Sequence, residues 1–255
     1  HRQHPVGDLL LYGRVSRGFK SRNFPAQTAP NNTAYRPVRQ EQLTAYEIGV
    51  RYTSQLVQAE AAAFIYDYKN KQQRGRIDCF CIFGLVTSQI NVPKAQIKGV
   101  EGSLSVRPVE GLSLAGSFVY IESEVKRYVG YNSDGAFLDQ AGFPLNYTPK
   151  WNVNIDANYT MPVSSSLNGF VGANMSYRSK TTGDIAGSST FDIDSYTLLD
   201  AQIGIEASNQ RWKAWMFGNN ITNKYYWTNV VNTSDTTVRW PGMPVTYGVA
   251  VSFKY

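Results

Sequence analysis

Val245-Thr-Tyr-Gly-Val-Ala-Val-Ser-Phe-Lys-Tyr255 closes the chain and decides its reading. Val245, Tyr247, Val249, Val251, Phe253 and Tyr255 are apolar or aromatic, and the residues between them are small or polar. Successive side chains of a strand point to opposite faces, so strict alternation makes a strand with one apolar and one wet face. About ten such residues, tilted, cross a bilayer. The apolar side would then meet lipid and the wet side a lumen. A soluble sandwich strand alternates in the same way. The decision therefore rests on the remaining strands and on how they are connected.

Working outward, the same pattern recurs. Strands are predicted at 9–20, 43–52, 56–69, 92–107, 112–127, 151–159, 167–180, 196–207, 212–229 and 245–255, ten in all. The sixth is the clearest, with Trp151, Val153, Ile155, Ala157 and Tyr159 set against Asn152, Asn154, Asp156 and Asn158. The third has two competing registers, Val57 to Ile65 against the aromatic set Phe64, Tyr66 and Tyr68. Long connections at 21–40, 71–90, 128–146, 183–195 and 230–244 alternate with tight turns near 53–55, 108–111, 161–166 and 208–211. In an antiparallel meander every second connection lies at the same end. The long loops are therefore expected at one end of the sheet and the turns at the other, the layout of a bacterial membrane barrel. A soluble sandwich has no reason to sort its loops.

Composition agrees. The chain has 255 residues, and its mean hydropathy of −0.33 is too polar for a helical membrane protein. It contains no apolar run of the ~18 residues that a spanning helix needs. The net charge of +6 comes from scattered basic residues without a compact run, which argues against nucleic acid. A mildly basic barrel suits a leaflet of phosphorylated lipid. Cys79 and Cys81, separated by one residue and with no nearby His, make a poor metal site and are expected in an outer loop, bridged or free. His1 and His4 read as part of a turn. The chain begins without an initiator Met or signal peptide, so further sequence upstream is expected for a secreted barrel.

Several stretches, taken in order, resemble TonB-dependent outer-membrane receptors. They are Leu11-Tyr-Gly-Arg-Val-Ser-Arg-Gly-Phe-Lys20, Ala45-Tyr-Glu-Ile-Gly-Val-Arg51, Ala63-Phe-Ile-Tyr-Asp-Tyr68 and Lys94-Ala-Gln-Ile-Lys-Gly-Val-Glu101. Tyr147-Thr-Pro-Lys-Trp151, Tyr196-Thr-Leu-Leu-Asp-Ala201 and the most specific, Asn219-Asn-Ile-Thr-Asn-Lys-Tyr-Tyr226, follow. The aromatic end Phe253-Lys254-Tyr255 is similar to the assembly signal of bacterial outer-membrane barrels.

The resemblance implies an all-β, antiparallel up-and-down transmembrane barrel. About ten strands of a larger barrel of about 22 are present, and residues 1–255 form its carboxy-terminal portion without plug or early strands. It further implies uptake of a scarce ligand, most often a ferric siderophore. Energy would come from the TonB-ExbB-ExbD complex acting through the missing plug region. Outer-membrane lipid and the barrel assembly machinery, through the last strand, are the other expected partners. The competing reading is a complete small passive pore or a barrel hydrolase.

No catalytic constellation, cofactor motif or metal cluster is expected, since there is no Gly-x-Ser-x-Gly elbow or phosphate loop. Glu122 and Glu124 read as a solvated strand end, and Asn174-Met-Ser176 and Asn220-Ile-Thr222 as by-products of Asn- and Thr-rich strands rather than glycosylation sites. Tyr52, Trp151, Tyr159, Trp212, Phe253 and Tyr255, near strand ends, are candidate membrane-interface aromatics. The long loops carry Arg22, Arg36, Arg39, Arg74, Arg76 and Arg239, with Tyr128, Tyr131, Phe137, Phe143 and Trp240. Arginines pair with anionic chelates and aromatics stack on planar groups. Arg22, Arg74, Arg76, Tyr131, Phe137, Arg239 and Trp240 are accordingly the expected ligand contacts.

Overall fold

In the computed structural model, residues 7–24, 36–80, 82, 84–233 and 236–254 are described. Strands β1 (Asp8–Lys20), β2 (Glu41–Thr53), β3 (Val57–Asp78), β4 (Leu85–Val106), β5 (Leu112–Arg127), β6 (Val129–Tyr131), β7 (Phe137–Asp139) and β8 (Trp151–Pro162) come first. They are followed by β9 (Leu167–Arg178), β10 (Thr181–Thr182), β11 (Asp192–Ile193), β12 (Tyr196–Ala207), β13 (Trp212–Asn219), β14 (Trp227–Thr233), β15 (Thr236–Pro241) and β16 (Thr246–Phe253). The main sheet has 12 strands, and its path β1-β2-β3-β4-β5-β8-β9-β12-β13-β16 is the expected ten-strand meander. β1 and β16 stand at opposite ends of this order and do not pair, so the chain forms an open sheet and not a closed ten-stranded pore.

The register sorts the side chains. Val249 lies opposite Met216, Met216 opposite Ile203, Ile203 opposite Val171 and Val171 opposite Tyr159. Across β8, Ile155 continues to Gly116, Gly116 to Leu104, Leu104 to Ala59 and Ala59 to Tyr52. One face is therefore apolar from edge to edge. The other carries Glu47, Arg51, Glu60, Glu101, Asn154, Asp156, Asn174, Gln202 and Glu206. The ambiguity in β3 resolves toward Val57, Ala59, Ala61, Ala63 and Ile65 on the apolar face. Phe64 and Tyr66 take the polar face and stack there at 4.6 Å.

The interface candidates lie at both ends of the apolar band. Trp151 is 4.8 Å from Tyr120 at the loop end. Tyr52, Tyr159, Trp212 and Phe253 lie at the turn end, Trp212 opposite Phe253. Tyr255, His1 and His4 lie outside the described residues. From Tyr159 to Trp151 is eight residues, about 27 Å along the strand and about 21 Å in height at a tilt of ~40°, close to the ~25 Å of a barrel's apolar belt.

All five long connections leave from the loop end, and the tight turns 54–56, 107–111, 163–166 and 208–211 occupy the other. Gly111, at φ +79°, closes one turn; its carbonyl accepts from Thr160 N–H at 2.9 Å, and a Cβ there would collide with the Thr160 carbonyl.

Two expected boundaries are wrong. The span 71–90 is not a loop: Lys71 to Asp78 pairs with Leu85 to Val92, so β3 and β4 run on as a long hairpin. Its Lys-Gln-Gln-Arg-Gly-Arg stretch has no apolar alternation, because it stands clear of the belt and is held by backbone pairing. The strand predicted to reach residue 229 ends at Asn219. Asn220 and Asn223 take φ +47° and +50°, a conformation that Asn tolerates better than other side chains, and this turns the chain. Nearly buried Asn220 then holds the turn. Its Oδ1 accepts from Lys224 N–H at 2.8 Å, and its Nδ2 donates to the Lys224 and Met243 carbonyls at 2.9 and 3.0 Å. Beyond it, β14 and β15 form a separate hairpin inside what reads in sequence as the tail of a strand and a loop.

Candidate functional site

The long connections fold together over the polar face. Ala95, Ile97 and Val125 alternate onto that face, and Ile90, Val92, Tyr128, Leu145 and Ile185 pack on them as one buried cluster. Phe191, Ile193 and Val230 form a second, flanked by Trp227. Burying loop aromatics and aliphatics against each other supplies the apolar contact that these irregular segments need to be ordered.

Ser133 ties the connections into one body. Its carbonyl accepts from Arg76 Nη1 at 2.9 Å and from Asn232 Nδ2 at 3.2 Å, and its N–H donates to Asp184 Oδ2 at 2.7 Å. One residue thus joins the β3–β4 hairpin to three other connections. Asn132 Nδ2 adds a bond to the Ala186 carbonyl at 2.8 Å, and Tyr147 O–H one to the Val230 carbonyl at 2.6 Å. The Asp184 carboxyl is pushed up, by burial first and then by Asp134, against the opposing bonds from Ser133 and Ile185. Burial, with Asp184 adding, raises the Tyr128 phenol to about 12. The connection 21–40 meets the opposite side of the hairpin: buried Gln72 donates to the Ser21 and Arg39 carbonyls, and Arg39 N–H donates to Asn91 Oδ1 at 2.7 Å.

The expected ligand contacts separate into groups. Arg76 lies opposite Tyr131, whose ring meets Phe137 edge-on at 4.9 Å. Arg74 and Arg76 sit on paired strand rather than loop, and Arg76 is committed to the Ser133 and Leu85 carbonyls. Arg239 and Trp240 sit on β15; Arg239 donates to the Thr190 carbonyl at 2.8 Å and lies over the Trp227 ring at 5.6 Å. Arg22 is exposed beside the Asn23–Val38 bridge, with Arg36 and Arg39 near the other side of that bridge. Tyr128 packs in the loop core and presents no free ring, whereas Phe143 stays exposed. Cys79, just past β3, is fully buried and disulfide-bonded; Cys81 lies outside the described residues. The Glu122 and Glu124 carboxylates are separately ion-paired, with Lys98 and Lys126.

Sequence reading missed a second group. Arg178, from β9, lies 6.0 Å over the Tyr196 ring, which meets Tyr226 at 4.4 Å with the rings tilted by 35°. Tyr226 rests on Gly242, where a Cβ would occupy the ring. Tyr225 meets Trp227 edge-on at 5.1 Å and is mostly exposed. The signal was the consecutive Tyr225-Tyr226-Trp227, hidden by reading that stretch as strand. Among the described residues no group of three His, Cys, Asp or Glu side chains is placed to hold a metal ion.

Residues 4–240 match the family described as TonB dependent receptor-like, beta-barrel. The chain belongs to that family. It is 31% identical over 169 residues, 62% of this chain, to the iron-regulated outer membrane virulence protein of two Vibrio cholerae O1 strains. It spans only 24% of the length of those relatives. Its fold is like that of the ferric yersiniabactin uptake receptor FyuA from Yersinia pestis, with a TM-score of 0.74 at 20% identity over 96% of this chain and 34% of that one. BauA, the ferric preacinetobactin receptor from Acinetobacter baumannii, gives 0.70 at 19% over 95% and 34%. The copper transporter OprC gives 0.70 at 15% over 98% and 37%, so likeness of fold does not choose a cargo. In this family the apolar face is the lipid face of an outer-membrane barrel of a Gram-negative bacterium and the polar face is its lumen. The relatives are transport receptors, not enzymes.

Proposed function

We propose that this chain is the loop-bearing wall of a receptor that takes up an anionic iron chelate, most simply a ferric siderophore, across the outer membrane. The observation carrying this reading is the loop body folded over the lumenal face, with cations and aromatics left at its surface. Arg178 and Arg239 supply charge; Tyr225, Phe137 and Trp240 are exposed rings. A guanidinium pairs with carboxylate or phenolate oxygens, and an exposed ring stacks on a planar group. Binding residues concentrate on loops held by a rigid scaffold, here an edge-to-edge hydrogen-bonded wall.

The names of the Yersinia and Acinetobacter proteins support iron-chelate cargo, and that of the Vibrio protein a link to iron. In this reading, Arg22, Arg74, Arg76, Tyr131, Phe137, Arg239 and Trp240 line the approach. The five described interface aromatics, Tyr52, Trp151, Tyr159, Trp212 and Phe253, face lipid headgroups, and energy arrives from the TonB-ExbB-ExbD complex through a plug. The last strand serves recognition by the barrel assembly machinery. The test is growth of a strain lacking the receptor, complemented with the full gene, on single ferric siderophores as sole iron source. One chelate should restore growth, and removing TonB should abolish it. Growth on no iron chelate, or growth indifferent to TonB, overturns the proposal.

A further inference from the structure

The lipid face carries a row of cations that the fold does not use. Above the belt, β3, β4 and β5 align on that face in successive rows. The first is Ile65, Lys98 and Glu122, where Lys98 Nζ lies 2.9 Å from Glu122 and Tyr120 O–H donates to the same carboxylate. The second is Asp67, Gln96 and Glu124; Gln96 donates to Asp67 at 2.8 Å, and Glu124 pairs with Lys126. In the third row Lys69 lies opposite Lys94, and Lys94 opposite Arg127. A bulge at Lys94/Ala95 keeps Arg127 on this face. All three are exposed, and no described carboxylate lies within ion-pair distance of any of them. Like charges directly opposite across strands repel, so the row costs stability and stabilises no contact within the chain.

Its height is informative. Lys69 is four residues beyond Ile65, about 13 Å along the strand and roughly 10 Å above the edge of the belt, which is headgroup depth. Directly below lies a groove of about 490 Å³, lined by Tyr46, Ile48, Ala63, Ile65, Val100 and Tyr120. It is an open groove, left where the small Ala63 of β3 lies between Ile48 on β2 and Val100 on β4.

We propose that groove and row form one lipid site. An acyl chain of a phosphorylated outer-leaflet lipid lies in the groove, and its phosphate sits on Lys69, Lys94 and Arg127. Below the row, Glu122 and Glu124 are ion-paired with Lys98 and Lys126, and Asp67 is engaged by Gln96, so none of the three carboxylates is paired with a cation of the row. Guanidinium and ammonium groups both bind phosphate, and each cation at a membrane surface strengthens anionic-lipid binding about five-fold. This inference rests on the orientation of the barrel wall and is independent of the cargo proposed above.

The test uses the full-length receptor in phosphatidylethanolamine nanodiscs containing a minor fraction of lipid A, the lipid retained being read by native mass spectrometry. Wild type should retain lipid A. Lys94→Gln should weaken retention about five-fold, and the triple variant Lys69→Gln/Lys94→Gln/Arg127→Gln on the order of a hundred-fold. Lys94→Arg should restore it. Ala63→Trp, which fills the groove and leaves the charges, should also reduce it. Equal retention by wild type and Lys94→Gln overturns the proposal. So does equal binding of lipid A stripped of its phosphates, or displacement by inorganic phosphate alone.

Discussion

Replacing Asn220 by Ala should loosen the connection between β13 and β16 by about 3–4 kcal/mol. The asparagine makes three side-chain bonds, to Lys224 N–H, the Lys224 carbonyl and the Met243 carbonyl, at 2.8–3.0 Å. Each net bond contributes about 1 kcal/mol, and orphaning its partners in a buried turn keeps the loss at the upper end. Alanine at φ +47° adds about 1 kcal/mol, because a Cβ without a polar partner is disfavoured in the left-handed region. Asn220→Gly removes the bonds but not the conformational fit, so it should cost about 1 kcal/mol less. Hydrogen exchange on the full-length receptor in detergent reads this directly: 3 kcal/mol is roughly a 150-fold rise in local opening, confined to residues 220–245. Unchanged exchange at Lys224 in Asn220→Ala, or Gly costing as much as Ala, would refute the reasoning.

Other outcomes are expected. Ile155→Arg, at mid-belt on the lipid face, should cost about 2–4 kcal/mol in denaturant titration of the receptor in vesicles, and lumen-facing Asn154→Arg close to nothing; the reverse order would invert the assignment of faces. The Asp184 carboxyl is raised above its ordinary value of 3.8, so its proton is held more tightly in the folded loops than in opened ones. Its contribution is fully present below that ordinary value and is lost as pH rises through the raised one. Local opening of residues 128–146 and 183–195, read as exchange relative to the intrinsic rate at each pH, should therefore increase from mildly acid to neutral pH, and Asp184→Asn should flatten the dependence. Gly111→Val should cost about 2–3 kcal/mol in the same titration, since φ +79° and the adjacent Thr160 carbonyl both exclude a β-branched side chain. A cost no larger than that of a neighbouring turn substitution such as Glu110→Val would refute it.

The belt was legible because hydrocarbon imposes period two: β8 and β16 can be read residue by residue, and loop sorting follows from connection lengths alone. Above the belt that constraint ends. The outer part of β3 and β4 is held by backbone pairing and by Ile77, Ile90 and Val92 in a loop core, and backbone pairing leaves no trace in side-chain pattern. The stop at Asn220 was missed because Tyr225, Tyr226 and Trp227 look like strand residues, while the left-handed turn depends on two asparagines among many. Of the site, residue types were readable and their company was not. Arg76 and Tyr131 meet across 55 positions of sequence. The Arg178–Tyr196–Tyr226 cluster draws on three separate segments.

The Ser133 junction limits how the exterior of this protein can vary. Because the N–H and carbonyl of a single residue anchor a hairpin and three connections, lengthening any one of them displaces an attachment point shared by the others. Drift at this outer surface should therefore come as matched substitutions across several connections or stay on exposed tip side chains such as Phe80 and Ile82. An antibody raised against this surface would meet a composite epitope, one that no linear peptide from a single loop reproduces.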